Sequence, residues 1–236
     1  PKKFLLDGLK KLEYRGYDSS GIALKGDNNI QIIKSTGRIK DLEEKIKDKK
    51  IISSNMGIAH TRWATHGEAN EINAHPHRVG KTTLVHNGII ENARDLKNKL
   101  VNENVVFRSE TDTEVATAVI NSLYNGNPIQ TITKAIKLLK GSYAFGLMFD
   151  SNDKLYAVRK DSPLIVGVGD GENYIASDIA AIIKYTDKYI LLDESQRMSK
   201  DVWLLLNKYA QDKKIIFSLD PKQVLTKEEI KSNFKP

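Results

Sequence analysis

Phe4, Leu5, Leu9 and Leu12 recur three and four residues apart, with Lys2, Lys3, Lys10 and Lys11 mostly on the other side. This spacing predicts an amphipathic helix from Lys2 to Tyr14, ending near Gly16. Gly21 to Leu24 and Ile30 to Lys34 are short β runs on either side of Gly26-Asp27-Asn28-Asn29, a hairpin signal. A charged helix is expected from about Lys40 to Lys47. Met56 to Trp63 and Thr82 to Ile89 read as buried strands, joined by a long polar loop that holds Thr65, His66, Gly67 and Pro76. Three more helices are expected at Ala93 to Asn102, Asp112 to Tyr124 and Ile129 to Leu139.

The period then shortens. Tyr143 to Phe149, Lys154 to Arg159, Leu164 to Val168 and Tyr174 to Ala176 are β-rich runs parted by turn residues. A short helix near Ile179 to Ile183 precedes further strands at Tyr189 to Leu192, Val202 to Leu206 and Ile215 to Leu219. Thr226 to Phe234 closes as a helix with a capping box formed by Thr226 and Glu229. Helices in two blocks with antiparallel strands elsewhere place the chain in the α+β class, with sheets packed on each other and helices outside.

The chain has 236 residues, enough for one large domain or two small ones, and shows no internal repeat or low-complexity tract. No apolar run approaches the roughly 18 residues of a membrane span, and no signal segment opens the chain. The expectation is a soluble, cytoplasmic protein without a membrane partner. A formal charge of +7 invites a nucleic-acid reading, but 29 lysines stand against 8 arginines and alternate with acids along the chain. Base and phosphate recognition favours the planar fork of arginine, so no nucleic acid is expected as a partner. Cysteine is absent, which excludes disulfides, thiolate metal sites and a thiol nucleophile within these residues.

All five histidines, His60, His66, His75, His77 and His86, fall within 27 residues. Their spacings lack the helical HExxH pair, so hydrogen-bonded histidines or substrate contacts are expected, and no metal and no cofactor. Gly167-Val168-Gly169-Asp170-Gly171 lacks the Lys-Ser/Thr of a phosphate loop and reads as a hairpin turn. Two segments carry candidate chemistry. A buried strand delivers Arg62 and Trp63 to the mouth of the polar loop, where Arg62 could clamp a carboxylate bidentately while the loop closes. Asn87 and Gly88 could converge an amide and a backbone N–H on one oxygen, as an oxyanion hole does. The same pair could be a type I′ turn, followed by a helix cap at Asn92. In Ser109 to Glu114, Asp112 could hold an ammonium or simply favour the helix dipole.

LEYRGYDS from Leu12, HTRWATHGE from His60, NAHPH from Asn73, HNGIIEN from His86 and SETDTE from Ser109 occur in this order. Together they resemble the glutaminase domain of the glutamine-fructose-6-phosphate aminotransferases, a type 2 glutamine amidotransferase domain. The likeness runs from about Phe4 to Leu192, and nothing is carried over to residues 197–236. Phosphoribosyl-pyrophosphate amidotransferases and asparagine synthetases share the Arg and Asn-Gly logic, but TRWATHG is similar to the sugar enzymes. The resemblance implies an N-terminal nucleophile hydrolase fold, an αββα four-layer sandwich, and a single glutaminase domain is expected over residues 1–236, with 196–236 outside the part that the resemblance supports. It implies release of ammonia from L-glutamine, with L-glutamate as product, for glucosamine 6-phosphate synthesis from fructose 6-phosphate. By the same resemblance Arg62 binds the α-carboxylate, Asp112 the α-ammonium, and Asn87 with Gly88 the oxyanion. Thr65 and His66 belong to the closing loop, Trp63 sits where ammonia passes on, and Arg15 and Gly16 line the site near the nucleophile. Taken alone, Trp63 also reads as a core aromatic and Arg15 as a surface ion pair.

The family's nucleophile is an N-terminal Cys on a short strand, whereas this sequence opens at Pro1 on the first helix. Proline's secondary amine carries no thiol or hydroxyl and cannot replace it. The expectation is that a Cys-bearing segment precedes Pro1 and that the 236 residues are inactive as they stand. The competing expectation is a glutamine- or glutamate-binding module without hydrolysis. The sugar-isomerase domain that would consume the ammonia is an expected partner outside these residues, and a homodimer is a further one.

Overall fold

The computed structural model describes residues 1–27, 29–64, 67–186, 189–193 and 214–218, which fall into two compact units, Pro1–Ser162 and Pro163–Pro236. In the first unit the predicted hairpin forms between β1 (Ser19–Lys25) and β2 (Ile30–Thr36), and β3 (Met56–Arg62) pairs antiparallel on the other side of β1. The order is β2-β1-β3, so β2 is an edge. A second antiparallel sheet has the order β4-β5-β6-β7, from β4 (His77–Val79), β5 (Thr82–Ile90), β6 (Gly141–Phe149) and β7 (Leu155–Lys160). Three residues are too few for an alternation to register, and β4 fell inside the expected polar loop for that reason.

Strand alternation sorts the apolar side chains into three cores. Ile22 and Leu24 of β1 pack with Leu6 and Leu9 of α1 (Lys2–Leu12) and with Ile39, Leu42 and Ile46 of α2 (Ile39–Lys47). The intervening Ala23 faces the opposite way, against Ile58 of β3 and Met148 of β6, between the two sheets. Leu84, Phe145, Leu147 and Phe149 form the third core with helices α3 (Ala93–Asn102), α4 (Asp112–Ser122) and α5 (Pro128–Ala135). Helix, sheet, sheet, helix is the expected αββα arrangement. Both faces of β1 and β6 are covered, and these strands are accordingly buried almost throughout.

Local signals place the helix starts. The Asp41 carboxylate accepts the Arg38 N–H at 2.7 Å before α2, and Asn127 caps α5 by accepting from the Gln130 N–H at 3.1 Å, with Pro128 in its first turn. The expected helix to Leu139 stops at Ala135, because tighter turns over residues 134–139 bury Leu139 and deliver the chain to β6 at Gly141. Likewise α4 ends at Ser122, which frees Tyr124 to stack on Phe149 at 4.8 Å.

In the second unit β8 (Ile165–Val168) pairs antiparallel with β9 (Asn173–Ala176) across the Gly169-Asp170-Gly171 turn, as the hairpin reading required. β10 (Tyr189–Asp193) lies antiparallel to β8, and β11 (Lys214–Ser218) lies parallel to β10. The segment expected to be a helix near Ile179 to Ile183 contains a 3-10 turn at Ile179–Ala181 and buries Ile179 and Ile182. The expected strand at Val202 to Leu206 and helix at Thr226 to Phe234 lie outside the described residues. No described helix is long and apolar enough to cross a membrane.

Candidate functional site

β3 ends on Arg62, which the strand's alternation sets on the same inward face as Ile58 and His60. The side chain is buried and held from two directions. Its Nη1 donates to the Glu68 carbonyl at 3.2 Å and Nη2 to the Gly67 carbonyl at 3.3 Å. Nη1 also lies 3.6 Å from Asp18 Oδ1. Asp18 in turn accepts the Ser19 hydroxyl at 2.7 Å and the Ala64 N–H, so one carboxylate ties the Arg15–Asp18 segment to both sides of Arg62. The two segments pass closely at position 16, where a Cβ would meet the Arg62 carbonyl carbon at 3.0 Å. Thr61 Oγ1 donates to the Gly16 carbonyl, and the Tyr17 and Trp63 rings meet at 5.5 Å. Trp63 is 59 % exposed, which corrects its reading as a core aromatic. Arg15 is half-buried, its guanidinium over the Tyr14 ring at 6.0 Å.

A second group forms along β5. Asn87 and Gly88 stand opposite Ala144 and Tyr143 of β6, and pairing continues to Ile90. The pair therefore lies within the strand, which overturns the turn reading. Gly88 has φ +132°, and a Cβ there would sit 2.1 Å from the Ser142 carbonyl oxygen, so only glycine fits. Two residues on, the Ile90 N–H donates to Asp112 Oδ2 at 2.8 Å. Asp112, in the first turn of α4, is thereby fixed beside the end of β5, with Oδ1 3.8 Å from His86 Nδ1 and the side chain about a quarter exposed. Asn92 precedes α3 but does not cap it with its side chain. Its amide bridges to the Leu138 carbonyl and the Lys140 N–H, both at 2.9 Å, and splices the entry of α3 to that of β6.

Asn73 braces one group to the other. Its Nδ2 donates to the Glu68 carbonyl at 3.0 Å, the same oxygen that Arg62 uses, and to Glu110 Oε2 at 3.2 Å. Its Oδ1 accepts the Glu110 N–H at 3.0 Å. Glu110 stands two residues before Asp112, at a helix start built by buried Glu114, which accepts from the Ser109 N–H at 2.6 Å and the Ser109 hydroxyl at 2.7 Å. Thr111 caps the helix by accepting from the Glu114 N–H at 3.2 Å. Asp18, Asn73 and Glu110 had no assigned role in the sequence reading, although each lies inside one of the quoted motifs. The signal that could have raised them is their place inside those motifs, as polar side chains able to hydrogen-bond across segments.

Behind Arg62, the rings of His60 and His75 meet at 4.2 Å and those of His75 and His77 at 5.1 Å. Burial pushes His60 and His77 down to about 3, helped by the positive charges of Arg15 and Arg62 near His60 and of Lys34 near His77. His75 lies well below its ordinary value for the same reason. His86 is also lowered by burial, which outweighs the pull of Asp112. All four are therefore neutral near pH 7. His77 Nε2 pairs with Thr111 Oγ1 at 3.0 Å and His86 Nδ1 with Thr113 Oγ1 at 3.0 Å, so both rings meet the start of α4. Among the described residues, no group of three His, Asp or Glu side chains is arranged to hold a metal ion. Of the expected site residues, Arg15, Gly16, Arg62 and Trp63 share one group, and Asn87, Gly88 and Asp112 the other. Thr65 and His66 lie outside the described residues.

A family model described as a glutamine amidotransferase domain matches residues 60–184. The chain is 49 % identical over 195 residues to a glutamine-fructose-6-phosphate aminotransferase (isomerizing) of Caldanaerobacter subterraneus subsp. tengcongensis, covering 81 % of the chain and 32 % of that protein. It is 44 % identical over 230 residues to the protein so named in Fusobacterium nucleatum, covering 96 % and 36 %. The chain thus spans about a third of the length of the curated relatives it matches. Among solved structures, it is similar to the glutamine phosphoribosylpyrophosphate amidotransferase of B. subtilis. The TM-score is 0.63 at 26 % identity, over 76 % of this chain and 40 % of that one.

Proposed function

The chain belongs to the glutamine amidotransferase domain family, and from that premise we propose that it is the glutamine-binding part of an enzyme that moves glutamine's amide nitrogen onto fructose 6-phosphate. Glutamine presents a carboxylate and an ammonium on one carbon. Arg62 takes the carboxylate and Asp112 the ammonium, two charges held on separate elements and braced through Asn73 and Glu110. That bracing is the observation on which the reading rests, because a zwitterion is recognised only if the two charges keep a set distance.

Chemistry follows at the other end of the substrate. A Cys thiol gives its proton to its own α-amino group, ordinarily about 7.7 to 8.0, and attacks the side-chain amide carbon; the same proton passes to the amide nitrogen as the C–N bond breaks. The Asn87 amide and the Gly88 N–H stabilise the oxyanion. Ammonia leaves past Trp63, and water hydrolyses the thioester to glutamate. Thr65 and His66 close over the substrate, while Arg15 and Gly16 line the site beside the thiol. Cysteine is absent from the 236 residues, so the thiol is supplied from outside them, and these residues alone bind glutamine without hydrolysing it. The sugar-isomerase domain of the longer protein consumes the ammonia.

Calorimetric titration of the chain with L-glutamine tests this. Saturable binding is expected, weakened by roughly 1.5 to 3 kcal/mol in Arg62→Ala and in Asp112→Ala, each a lost charge-assisted bond. Undiminished affinity in a folded Arg62→Ala protein removes the carboxylate assignment, and ammonia release by the chain itself removes the thiol assignment.

A further inference from the structure

The first unit also contains a cavity of about 290 Å³ that none of the residues proposed to bind glutamine lines. Its floor is the edge strand β2, through Ile32, Ile33 and Lys34. Lys45 of α2 and Lys49 just beyond that helix form one wall, and Glu71 with Ile72 forms another. Three ammonium groups therefore meet one carboxylate. That carboxylate is already engaged, since Glu71 is ion-paired with Lys45. The Lys34 ammonium makes no hydrogen bond or ion pair among the described residues, although the side chain is largely withdrawn from water. Glu114 lies within electrostatic reach of Lys34, but its oxygens are taken by the N–H groups of Arg108 and Ser109 and by the Ser109 hydroxyl. Burial outweighs both carboxylates and lowers Lys34 to about 8. A half-buried ammonium with no direct ion-pair partner carries a desolvation cost that a bound anion lowers.

We propose that this cavity binds a phosphate monoester, with Lys34, Lys45 and Lys49 around the phosphoryl oxygens and Ile32, Ile33 and Ile72 against the carbon part. Three point-charge donors on flexible stems suit a tetrahedral dianion better than a planar carboxylate, for which Arg is the fitting partner. Glu71 and Ile72 belong to the stretch whose Gly67 and Glu68 carbonyls hold Arg62, so an occupant touches the segment that orients that guanidinium.

The probe is inorganic phosphate, titrated calorimetrically against a chloride control of equal ionic strength. Saturable binding at one site per chain is expected, weakened tenfold or more in Lys34→Gln and in Lys49→Gln. Lys40→Gln alters an exposed lysine of α2 that is outside the cavity and paired with Glu44 at 3.9 Å, and is expected to bind as the parent does. If Lys34→Gln fails to fold, Lys49→Gln decides alone. The proposal is overturned if phosphate gives no saturation beyond the chloride control, or if Lys40→Gln weakens binding as much as Lys49→Gln, which would mark a diffuse positive surface. Glutamine affinity enters neither outcome.

Discussion

Acidification from about pH 7 to about pH 5 should destabilise the first unit through its histidines, by an amount that can be worked out. His60 and His77 stand near 3 in the folded chain because burial disfavours their charged form. In the unfolded chain each returns to about 6.5. The unfolded state then binds more protons, so the stability of these groups is complete above about 6.5 and is lost as pH falls toward 3. At about pH 5 the difference is about 1.5 pH units for each group, or roughly 2 kcal/mol each and about 4 kcal/mol for the pair. That is a large part of the 5 to 15 kcal/mol typical of a folded domain. The figure is insensitive to the folded value, since anything below about 4 leaves the ring neutral at this pH. Carboxylates, ordinarily about 3.9 to 4.3, contribute little over the same interval. His75, lowered for the same cause, adds loss of the same sign. Urea unfolding followed by far-ultraviolet circular dichroism at the two pH values, at fixed ionic strength, measures the difference. The His77→Gln protein should lose roughly 2 kcal/mol less between them, whatever its stability at pH 7. Equal stability at both pH values, or an identical loss in His77→Gln, would refute the buried neutral array.

Gly88→Ala is expected to cost about 3 kcal/mol or more, because the new Cβ meets the Ser142 carbonyl oxygen at 2.1 Å in a backbone conformation that disfavours side chains, and a urea midpoint reads this directly. Glu114→Gln removes a buried carboxylate that accepts from the Ser109 N–H and hydroxyl, and should cost roughly 1.5 to 3 kcal/mol in the same assay; a neutral effect would remove Glu114 from the support of Asp112. Asn73→Ala breaks the bridge between the Glu68 carbonyl and Glu110, and is expected to weaken glutamine binding about tenfold without touching the ligand, as a calorimetric titration would show.

Local periodicity was enough to predict the β1–β2 hairpin, the buried strands β3, β5 and β6, and the helices α1 to α4, because each must hide one stripe or both faces and spells that need in consecutive residues. The motifs were legible as strings, but the residues in them kept ordinary structural readings, Asn-Gly as a turn and Asp112 as a charge suited to a helix start. Tertiary structure alone decided what those residues do to each other. Asn87-Gly88 reads as a turn in isolation and becomes mid-strand only because β6, more than fifty residues later, pairs past it. Trp63 follows a buried strand in sequence yet stands exposed in the fold, its ring against that of Tyr17. Asn73 reaches Glu110 over a separation of 37 residues, and no local pattern encodes a partner so distant. The histidines show the same limit: their clustering in sequence was plain, but their neutrality follows from burial between layers, a property of the assembled sandwich rather than of any segment.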